Sequence, residues 1–244
     1  MGTIEWGSEI AEGYDVTSAA MFAPEVLDPA VNLLFELADG GPVLEFAIGT
    51  GRVAIPLSAR GVNVSGIELS GHMAAQLLAK PEAEGIHVTI GDMTSTTVAG
   101  PFTLVYLVWN AIMNVTTQDE QVAVFANAAA HLEPGGCFVV EVVVPNPNVL
   151  PGEVGRVFHL EPDHIGIDTF DDRVAQISSS HHWMTVDGRL IHHSAPYRYV
   201  WPSELDLMAR LAGLRLRDRW ATWTREPFTG ESTNQIAVFD NGSS

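Results

Sequence analysis

Short apolar runs alternate with segments of helical periodicity along the first 144 residues of the chain. The apolar runs predict strands over Pro42–Phe46, Val62–Glu68, Ile86–Ile90, Phe102–Val108 and Cys137–Val144. Capping residues and periodicity predict helices between them, over Asp28–Ala38, Arg52–Arg60, Ser70–Lys80 and Thr117–Leu132. Strands that alternate with helices are typical of a parallel sheet covered on both faces.

The pattern changes between residues 145 and 201, where no convincing helical period is present. Arg173–Val186 and Arg189–Val200 flank Asp187-Gly188, a dipeptide typical of a two-residue hairpin turn. A helix over Ser203–Leu211 follows, and strands over Leu214–Trp220 and Gln235–Phe239 end the series. The sequence thus predicts an α/β fold: a doubly wound, roughly seven-stranded, mostly parallel sheet with a small antiparallel β insertion. We expect residues 1–144 and 202–240 to form the main domain and residues 145–201 to form the insertion.

The most informative segment is a glycine-rich turn that joins the first strand to the next helix. Gly49 and Gly51 carry no Cβ atom, so a ligand can approach the backbone closely. In a doubly wound fold this turn lies at the carboxyl end of the first strand, where ligands bind. Glu45, near the end of that strand, can accept a hydrogen bond from a cationic amine. Taken alone, the two glycines could equally serve a tight connection between strand and helix.

Two acids follow the turn at telling positions. Glu68 ends the second strand, 17 residues after Gly51, and in such folds an acid there can accept from both ribose hydroxyls. Asp92 follows the third strand, where it could accept from an adenine amino group. Met73 and Met93 are soft apolar side chains suited to an adenine face, although Met73 could be an ordinary core residue and Glu68 a solvated acid. Together the turn and the two acids outline a nucleoside.

Four segments carry a family resemblance: Glu45–Arg52, Gly66–Ser70 with Met73, Gly91–Met93 and His131–Gly136. As a set they resemble the class I S-adenosylmethionine-dependent methyltransferases, over about residues 42–144. The C-terminal part is more weakly similar to small-molecule members of that family, including those that methylate amino sugars of natural products. The resemblance implies a Rossmann-like methyltransferase fold. It also implies methyl transfer from S-adenosylmethionine to a small-molecule acceptor, with S-adenosylhomocysteine as the second product.

The resemblance further implies a cofactor site. In the family the glycine turn lines the methionine part, the acid after the second strand holds the ribose, and the residues after the third strand flank the adenine. Glu45 and the backbone of Val108 would lie near the cofactor amine, and Tyr14 would cover its carboxylate. The complete predicted set is Tyr14, Glu45, Ala47, Gly49, Thr50, Gly51, Arg52, Glu68, Leu69, Met73, Asp92, Met93 and Val108.

Two residues depart from the family pattern. Ala47 stands where the family usually has its first glycine, which leaves less room for the backbone to approach the cofactor. Pro56 lies within the helix after the turn, where it should remove a hydrogen bond and bend the helix near its start.

The acceptor side is less clearly marked. Trp109, Asn110 and Asn114 follow the fourth strand, toward which the reactive methyl group should point, and they predict an acceptor-binding wall. Trp109 could equally be a core residue. Tyr199, in the segment Tyr197–Tyr199, is expected to line the pocket from above, although an amphipathic sheet edge is as consistent with the pattern. The sequence names no catalytic base, so the catalytic residues stay unknown at this stage.

Four histidines flank the predicted hairpin turn. Counting outward from the turn puts His182 opposite His193 and Trp183 opposite His192. Two opposed histidines could hold a metal ion, but no third carboxylate or thiol ligand stands at a fitting spacing. We therefore expect surface or substrate-facing histidines and no metal.

Composition narrows the range of partners. The net charge is −18, with only 12 Lys and Arg residues, and such a field repels nucleic acids and anionic membranes, so we expect neither as a partner. No apolar run reaches the roughly 18–20 residues that span a bilayer, and Met1–Ala11 lacks the basic residues of a secretory signal. The single cysteine, Cys137, suits a reducing cytoplasm. A homodimer, paired through an exposed edge of the insertion, is left open.

Two other functions stay open on the sequence alone. A nicotinamide-dependent oxidoreductase shares the glycine turn and the strand-end acid, but Ile55 and Pro56 stand where its fingerprint has a third glycine. A non-catalytic S-adenosylmethionine-binding protein could use the same fold, because a fold does not fix a function.

Overall fold

Two β-sheets organise residues 7–145, 155–186 and 188–242, which the computed structural model describes. The helices are α1 (Ser8–Thr17), α2 (Pro24–Ala38), α3 (Ala54–Ala59), α4 (Gly71–Leu78), α5 (Gln118–His131) and α6 (Pro202–Leu211). The strands of the large sheet are β1 (Val43–Phe46), β2 (Val64–Glu68), β3 (His87–Ile90), β4 (Phe102–Leu107), β5 (Leu132–Val143), β10 (Leu214–Trp220) and β11 (Asn234–Asn241). The strands of the small sheet are β6 (Gly155–Glu161), β7 (His164–Asp172), β8 (Ile177–Val186) and β9 (Arg189–Arg198). Short 3₁₀ turns span Ala19–Phe22, Pro81–Ala83 and Ala111–Asn114.

The large sheet has the strand order β10-β11-β5-β4-β1-β2-β3. The five strands β1 to β5 pair in parallel with one another. The strand β11 runs antiparallel to both β5 and β10. This confirms the predicted seven-stranded, mostly parallel sheet. Because parallel strands point the same way, β1 to β5 all end at one side of the sheet, here called the carboxyl edge.

Apolar clusters cover both faces of the large sheet. Along β1, Val43 joins one cluster and Leu44 and Phe46 join the other, as the two-residue period of a strand requires. Side chains of α2, α3 and α4 complete the first cluster, and side chains of α5 and α6 complete the second. The strands are therefore fixed from both sides, which places their tips at the carboxyl edge with little freedom.

The helix ends confirm some sequence predictions and correct others. The Ser70 side chain accepts from the backbone N–H of Met73, and the Thr117 side chain accepts from that of Glu120, so both predicted caps are confirmed. The prediction that α2 starts at Asp28 is wrong. The helix starts four residues earlier because Pro24, rather than Pro29, occupies its first turn.

Two further differences concern the glycine turn's neighbours. The helix α1 was not predicted, since its ten residues have only weak amphipathic patterning. The helix α3 starts at Ala54 rather than at the predicted Arg52, which puts Pro56 in its first turn, where a missing N–H is tolerated.

The small sheet is larger than the sequence predicted. Its order is β6-β7-β8-β9 with antiparallel neighbours, so two strands precede the predicted pair. The register confirms His182 opposite His193 and Trp183 opposite His192. Of the predicted turn, Gly188 has a φ of 72°, while Asp187 lies outside the described residues.

The prediction that β8 starts at Arg173 is wrong. The strand β8 starts at Ile177, because the side chain of Asp172 accepts from the backbone N–H groups of Val174 and Ala175 and closes a turn there.

Throughout the described ranges, no helix combines the length and the apolar character that a membrane crossing requires.

Candidate active site

The glycine-rich turn leaves β1 in an unusual backbone conformation. Ala47, Gly49 and Gly51 all have positive φ, at 53°, 59° and 83°. A Cβ atom on Gly51 would stand 2.2 Å from the Leu77 side chain, so this glycine lets α4 pack against the turn. A Cβ atom on Gly49 would meet nothing nearer than 3.6 Å. Gly51 is therefore buried by packing while Gly49 stays partly exposed, and Ala47 carries a conformation that glycine adopts at lower cost.

Glu68 holds this turn at the tip of β2. One carboxylate oxygen accepts from the backbone N–H of Gly49 at 2.8 Å, and the other accepts from that of Ser70 at 2.9 Å. Burial raises the pKa of Glu68, while hydrogen bonds from the backbone N–H groups of Ser70, Gly49 and Leu69 act in the opposite direction. A carboxylate offers about four lone-pair sites, so the side chain keeps capacity to accept from a ligand. The sequence predicted Glu68 as a ligand acceptor but missed its structural bond to the turn.

The other predicted residues near β2 and β3 differ in exposure. Asp92 is exposed, and its side chain accepts from the backbone N–H of Thr94 at 2.8 Å. Leu69 is 51% exposed, whereas Met73 is buried with its terminal methyl group toward Gly49. Met73 thus lies beneath the turn, as a core residue would, and Asp92 and Leu69 face the open side of the carboxyl edge.

Glu45 lies deeper than the sequence analysis suggested. Its carboxyl group is buried on the face of the sheet that carries Tyr106, whose hydroxyl donates to it at 2.9 Å. Burial raises the pKa of Glu45 to about 8, against the opposing effects of the Tyr106 hydrogen bond and the Arg52 charge. A substantial share of this group is protonated at neutral pH, so it offers less than a full negative charge to an amine.

The helix α1 closes over the glycine turn through a residue that the sequence analysis missed. Asp15 accepts from the hydroxyl of Thr50 at 2.6 Å and pairs with the ammonium group of Lys80 at 2.5 Å. Lys80 in turn donates to the backbone carbonyl of Thr50 at 2.7 Å. No local signal could have identified Asp15, because its partners lie 35 and more residues along the chain. The three residues are named here the α1 lock.

Tyr14 lies beside the lock. Burial raises its pKa, and the positive charge of Arg52 is the largest opposing influence. The guanidinium group of Arg52 also stands over the ring of Trp109, at 5.1 Å from its centroid. The structure therefore brings α1, the turn after β1 and the tip of β4 together.

The tip of β4 presents Trp109 through a strained turn. Val108 is buried, and the next two residues, Trp109 and Asn110, both have positive φ, at 55° and 60°. Such values are uncommon away from glycine and persist only where surrounding contacts hold them. The indole of Trp109 is 44% exposed, so it is not the core residue that the alternative interpretation required.

Glu141 on β5 holds that turn and was missed by the sequence analysis. One of its oxygens accepts from the backbone N–H of Trp109 at 2.8 Å, and the other accepts from the indole N–H of Trp223 at 2.9 Å. The side chain of Asn110 accepts from the backbone N–H of Val143 at 2.7 Å. An acid inside the most apolar strand was the available signal, because such a group is buried only with partners.

The segment that precedes α6 anchors the small sheet. Arg198 is buried, pairs with Glu204 at 2.6 Å and donates to the side chain of Gln121. Its side chain is therefore enclosed by contacts to α5 and α6. Tyr199 is half-buried and packs against the second apolar cluster, and Asn114 is half-buried at the end of the 3₁₀ turn after β4.

Histidines line part of the small sheet. The side chains of His164 and His182 are hydrogen-bonded at 2.8 Å, and the ring of His192 stacks on Trp183 at 4.6 Å. Burial lowers the pKa of both His164 and His182. Within the ranges that the structure covers, no group of three or more His, Cys, Asp or Glu side chains is arranged to hold a metal ion.

Comparisons with known proteins identify relatives of this chain. Residues 43–136 match the family model described as a methyltransferase domain. The cypemycin N-terminal methyltransferase of a Streptomyces species is 25% identical over 239 residues, with 94% of each chain covered. The CcbJ methyltransferase of Streptomyces caelestis is 30% identical, with a TM-score of 0.84 and with 99% of this chain and 100% of that chain covered. CalS10, an amino pentose methyltransferase of Micromonospora echinaspora solved with S-adenosylmethionine, shares the fold at 20% identity, with a TM-score of 0.71 and coverages of 93% and 96%. None of these relatives is described as a nicotinamide-dependent oxidoreductase.

Proposed function

Because the chain belongs to the class I S-adenosylmethionine-dependent methyltransferases, we propose that it methylates an amine of a small natural-product or sugar intermediate. One observation carries the proposal: Glu68 bridges Gly49 and Ser70, so a carboxylate and a partly exposed glycine turn adjoin at the tips of two neighbouring strands. S-Adenosylhomocysteine would be the second product.

The donor groups of this edge fit the cofactor. The carboxylate of Glu68, at the tip of β2, suits the ribose hydroxyls, and the exposed carboxylate of Asp92 suits the adenine amino group. The partly exposed Gly49 has no side chain that would keep the methionine part from the backbone, and Thr50 and Gly51 follow it in the turn. Arg52 and Tyr14 adjoin this space and suit the carboxylate end. S-Adenosylmethionine, when bound, supplies an electrophilic methyl group.

The chain's own residues would align the acceptor. The exposed Trp109 would line the acceptor side, together with Asn110, Asn114 and Tyr199. Alignment and exclusion of water supply most of what such a transfer needs from a protein. We propose residues 1–144 and 202–240 as the methyltransferase domain and residues 145–201 as the acceptor-side cap.

Two observations support an amine as the acceptor. Relatives include proteins named for methylation of an N-terminus and of sugar or glycopeptide nitrogens. The net charge of −18 attracts cations, and alkyl amines are cationic at neutral pH. The single, buried Cys137 supports a reducing compartment, so we propose a cytoplasmic location.

The test is a screen of amine acceptors with the purified chain and S-adenosylmethionine. We expect release of S-adenosylhomocysteine together with an acceptor product heavier by one methylene group, with fragment ions that place it on nitrogen. Matched acceptors that carry a hydroxyl in place of the amine serve as controls. Methylation of the hydroxyl acceptors alone would refute the amine assignment, and failure to bind S-adenosylmethionine would refute the proposed cofactor site.

A further inference from the structure

A groove lies at the base of the small sheet, where residues 145–201 leave the large sheet and return to it. Its volume is about 430 Å³, within the range of small-molecule sites. Its walls come from three chain segments and include Val144, Pro145, Trp201, Pro202, Phe228 and Ser232. We name it the base groove. None of its lining side chains is charged, and Trp201 and Phe228 supply aromatic faces.

The aromatic walls of the base groove are held from outside. The ring of Phe228 is covered by the guanidinium group of Arg219, at 5.6 Å, and Arg219 pairs with Asp206 of α6 at 2.5 Å. The indole of Trp201 meets the ring of Tyr199 edge-on at 6.5 Å and remains 36% exposed. The groove is therefore preformed, with one large aromatic surface open to a ligand.

The base groove shares the carboxyl edge with the cofactor turn. Val144 follows β5, which neighbours β4, and β4 neighbours β1. Because adjacent strands are about 4.8 Å apart, the tip of β5 stands roughly 10 Å across the sheet from that of β1. Trp109, two residues after β4, follows the strand between them, and its backbone N–H donates to Glu141 of β5. A molecule of one or two rings that reached the cofactor side past Trp109 would extend into the groove.

We propose that the base groove binds an apolar arm of the acceptor, an alkyl or aromatic substituent about 10 Å from the methylated nitrogen. This inference rests on the proposed function. The lining is uncharged and includes Trp201, Phe228 and other apolar side chains, which favours such an arm over a charged group, since a charged group would lose hydration without gaining an ion-pair partner. The acceptor class is thus an amine that carries a hydrophobic extension.

The test compares hexyl and methyl glycosides of 2-amino-2-deoxyglucose, which differ only in the apolar arm. Calorimetry on the chain saturated with S-adenosylhomocysteine should give about tenfold tighter binding of the hexyl glycoside. In Trp201→Ser and Phe228→Ser the advantage should nearly vanish, while Trp201→Phe should keep it. Affinity for S-adenosylhomocysteine should stay unchanged in all three variants.

A cysteine variant that can be labelled keeps the proposal testable if those three substitutions disturb folding. Cys137 is buried and its thiol pKa is raised to about 11, so Ser232→Cys would add the one readily reactive thiol among the described residues. N-Phenylmaleimide attached there should abolish the hexyl advantage, and the hexyl glycoside should slow the labelling.

Three results would each overturn the groove assignment. The two glycosides could bind with equal affinity, the hexyl glycoside could fail to bind at millimolar concentration, or its higher affinity could survive in Trp201→Ser and Phe228→Ser. These results would leave the proposed function standing as long as S-adenosylhomocysteine binds. If S-adenosylhomocysteine fails to bind the unaltered chain, it is the proposed function that fails.

Discussion

The two sheets of this protein are held in place by different forces. In the large sheet, Val64, Leu104 and Val139 are fully buried, and apolar clusters cover both faces. In the small sheet, strand residues such as Leu160 and Leu190 are more than 70% exposed. Apolar packing therefore fixes the large sheet, whereas the small sheet depends on a limited number of specific contacts.

Those contacts are mainly polar. Arg198 links the end of β9 to Gln121 of α5 and Glu204 of α6, and Gln121 also donates to the carbonyls of Ile112 and Val115 beside the β4 tip. A network of this kind holds a segment in one orientation, and a few substitutions suffice to change that orientation. The cofactor edge is thus built on packing, and the acceptor side is built on contacts that can be altered one at a time.

The largest effect should follow Glu68→Ala at the packed edge. The variant loses the acceptor proposed for the ribose and the two bonds that hold Gly49 and Ser70, so cofactor affinity should fall by about 100-fold or more. Calorimetry with S-adenosylmethionine measures it, and circular dichroism should show a folded chain. Glu84→Ala, at an exposed site, is the matched control. Unchanged affinity in Glu68→Ala would refute the ribose assignment.

A smaller effect, confined to the small sheet, is expected for Arg198→Met. Removing the arginine leaves Glu204 partly buried without its ion pair and Gln121 without a donor, at a cost of about 3 kcal/mol. Hydrogen exchange should speed up in residues 177–198 and remain slow in residues 43–68. Arg217→Met, at a side chain that is 36% exposed, should change little.

A second substitution, at the ion-pair partner Glu204, checks the cause of the destabilisation in Arg198→Met. Adding Glu204→Gln to Arg198→Met removes the unpaired charge, so part of the lost stability to urea should return. Uniform acceleration of exchange in both sheets would contradict the separation drawn between them.

A third effect depends on pH and concerns Glu45. Its raised pKa means that the folded chain binds this proton more tightly than the unfolded chain, so its contribution to stability falls as pH rises from about 4.5 to about 8. Glu45→Gln stays neutral and still accepts from Tyr106. The variant should match the parent protein near pH 4.5 and gain a progressively higher Tm up to pH 8. A constant Tm difference across that range would contradict the buried position of the group.

The sequence predicted the large sheet well because local signals and packing agree there. The strands around Glu68 and Asp92, the caps at Ser70 and Thr117 and the seven-strand count could all be predicted from spacing and periodicity. The family resemblance was confirmed by the comparisons. Assignment of the individual cofactor and acceptor residues stays a prediction.

What the sequence did not predict depends on distant partners. Asp15 and Glu141 act through residues that are far away along the chain, so no local window marks them. The strands β6 and β7 have mixed exposure without a clear two-residue alternation, which hid them from a periodicity argument. The base groove is formed by three separate segments and exists only once the chain has folded.

The α1 lock has a thermodynamic consequence for the N-terminal helix. Asp15, Thr50 and Lys80 form a closed ring of contacts, so the docking of α1 and the conformation of the glycine turn are one coupled equilibrium. Coupling of this kind is reciprocal: whatever free energy a ligand in the turn adds to helix docking, the docked helix returns to the ligand in equal measure.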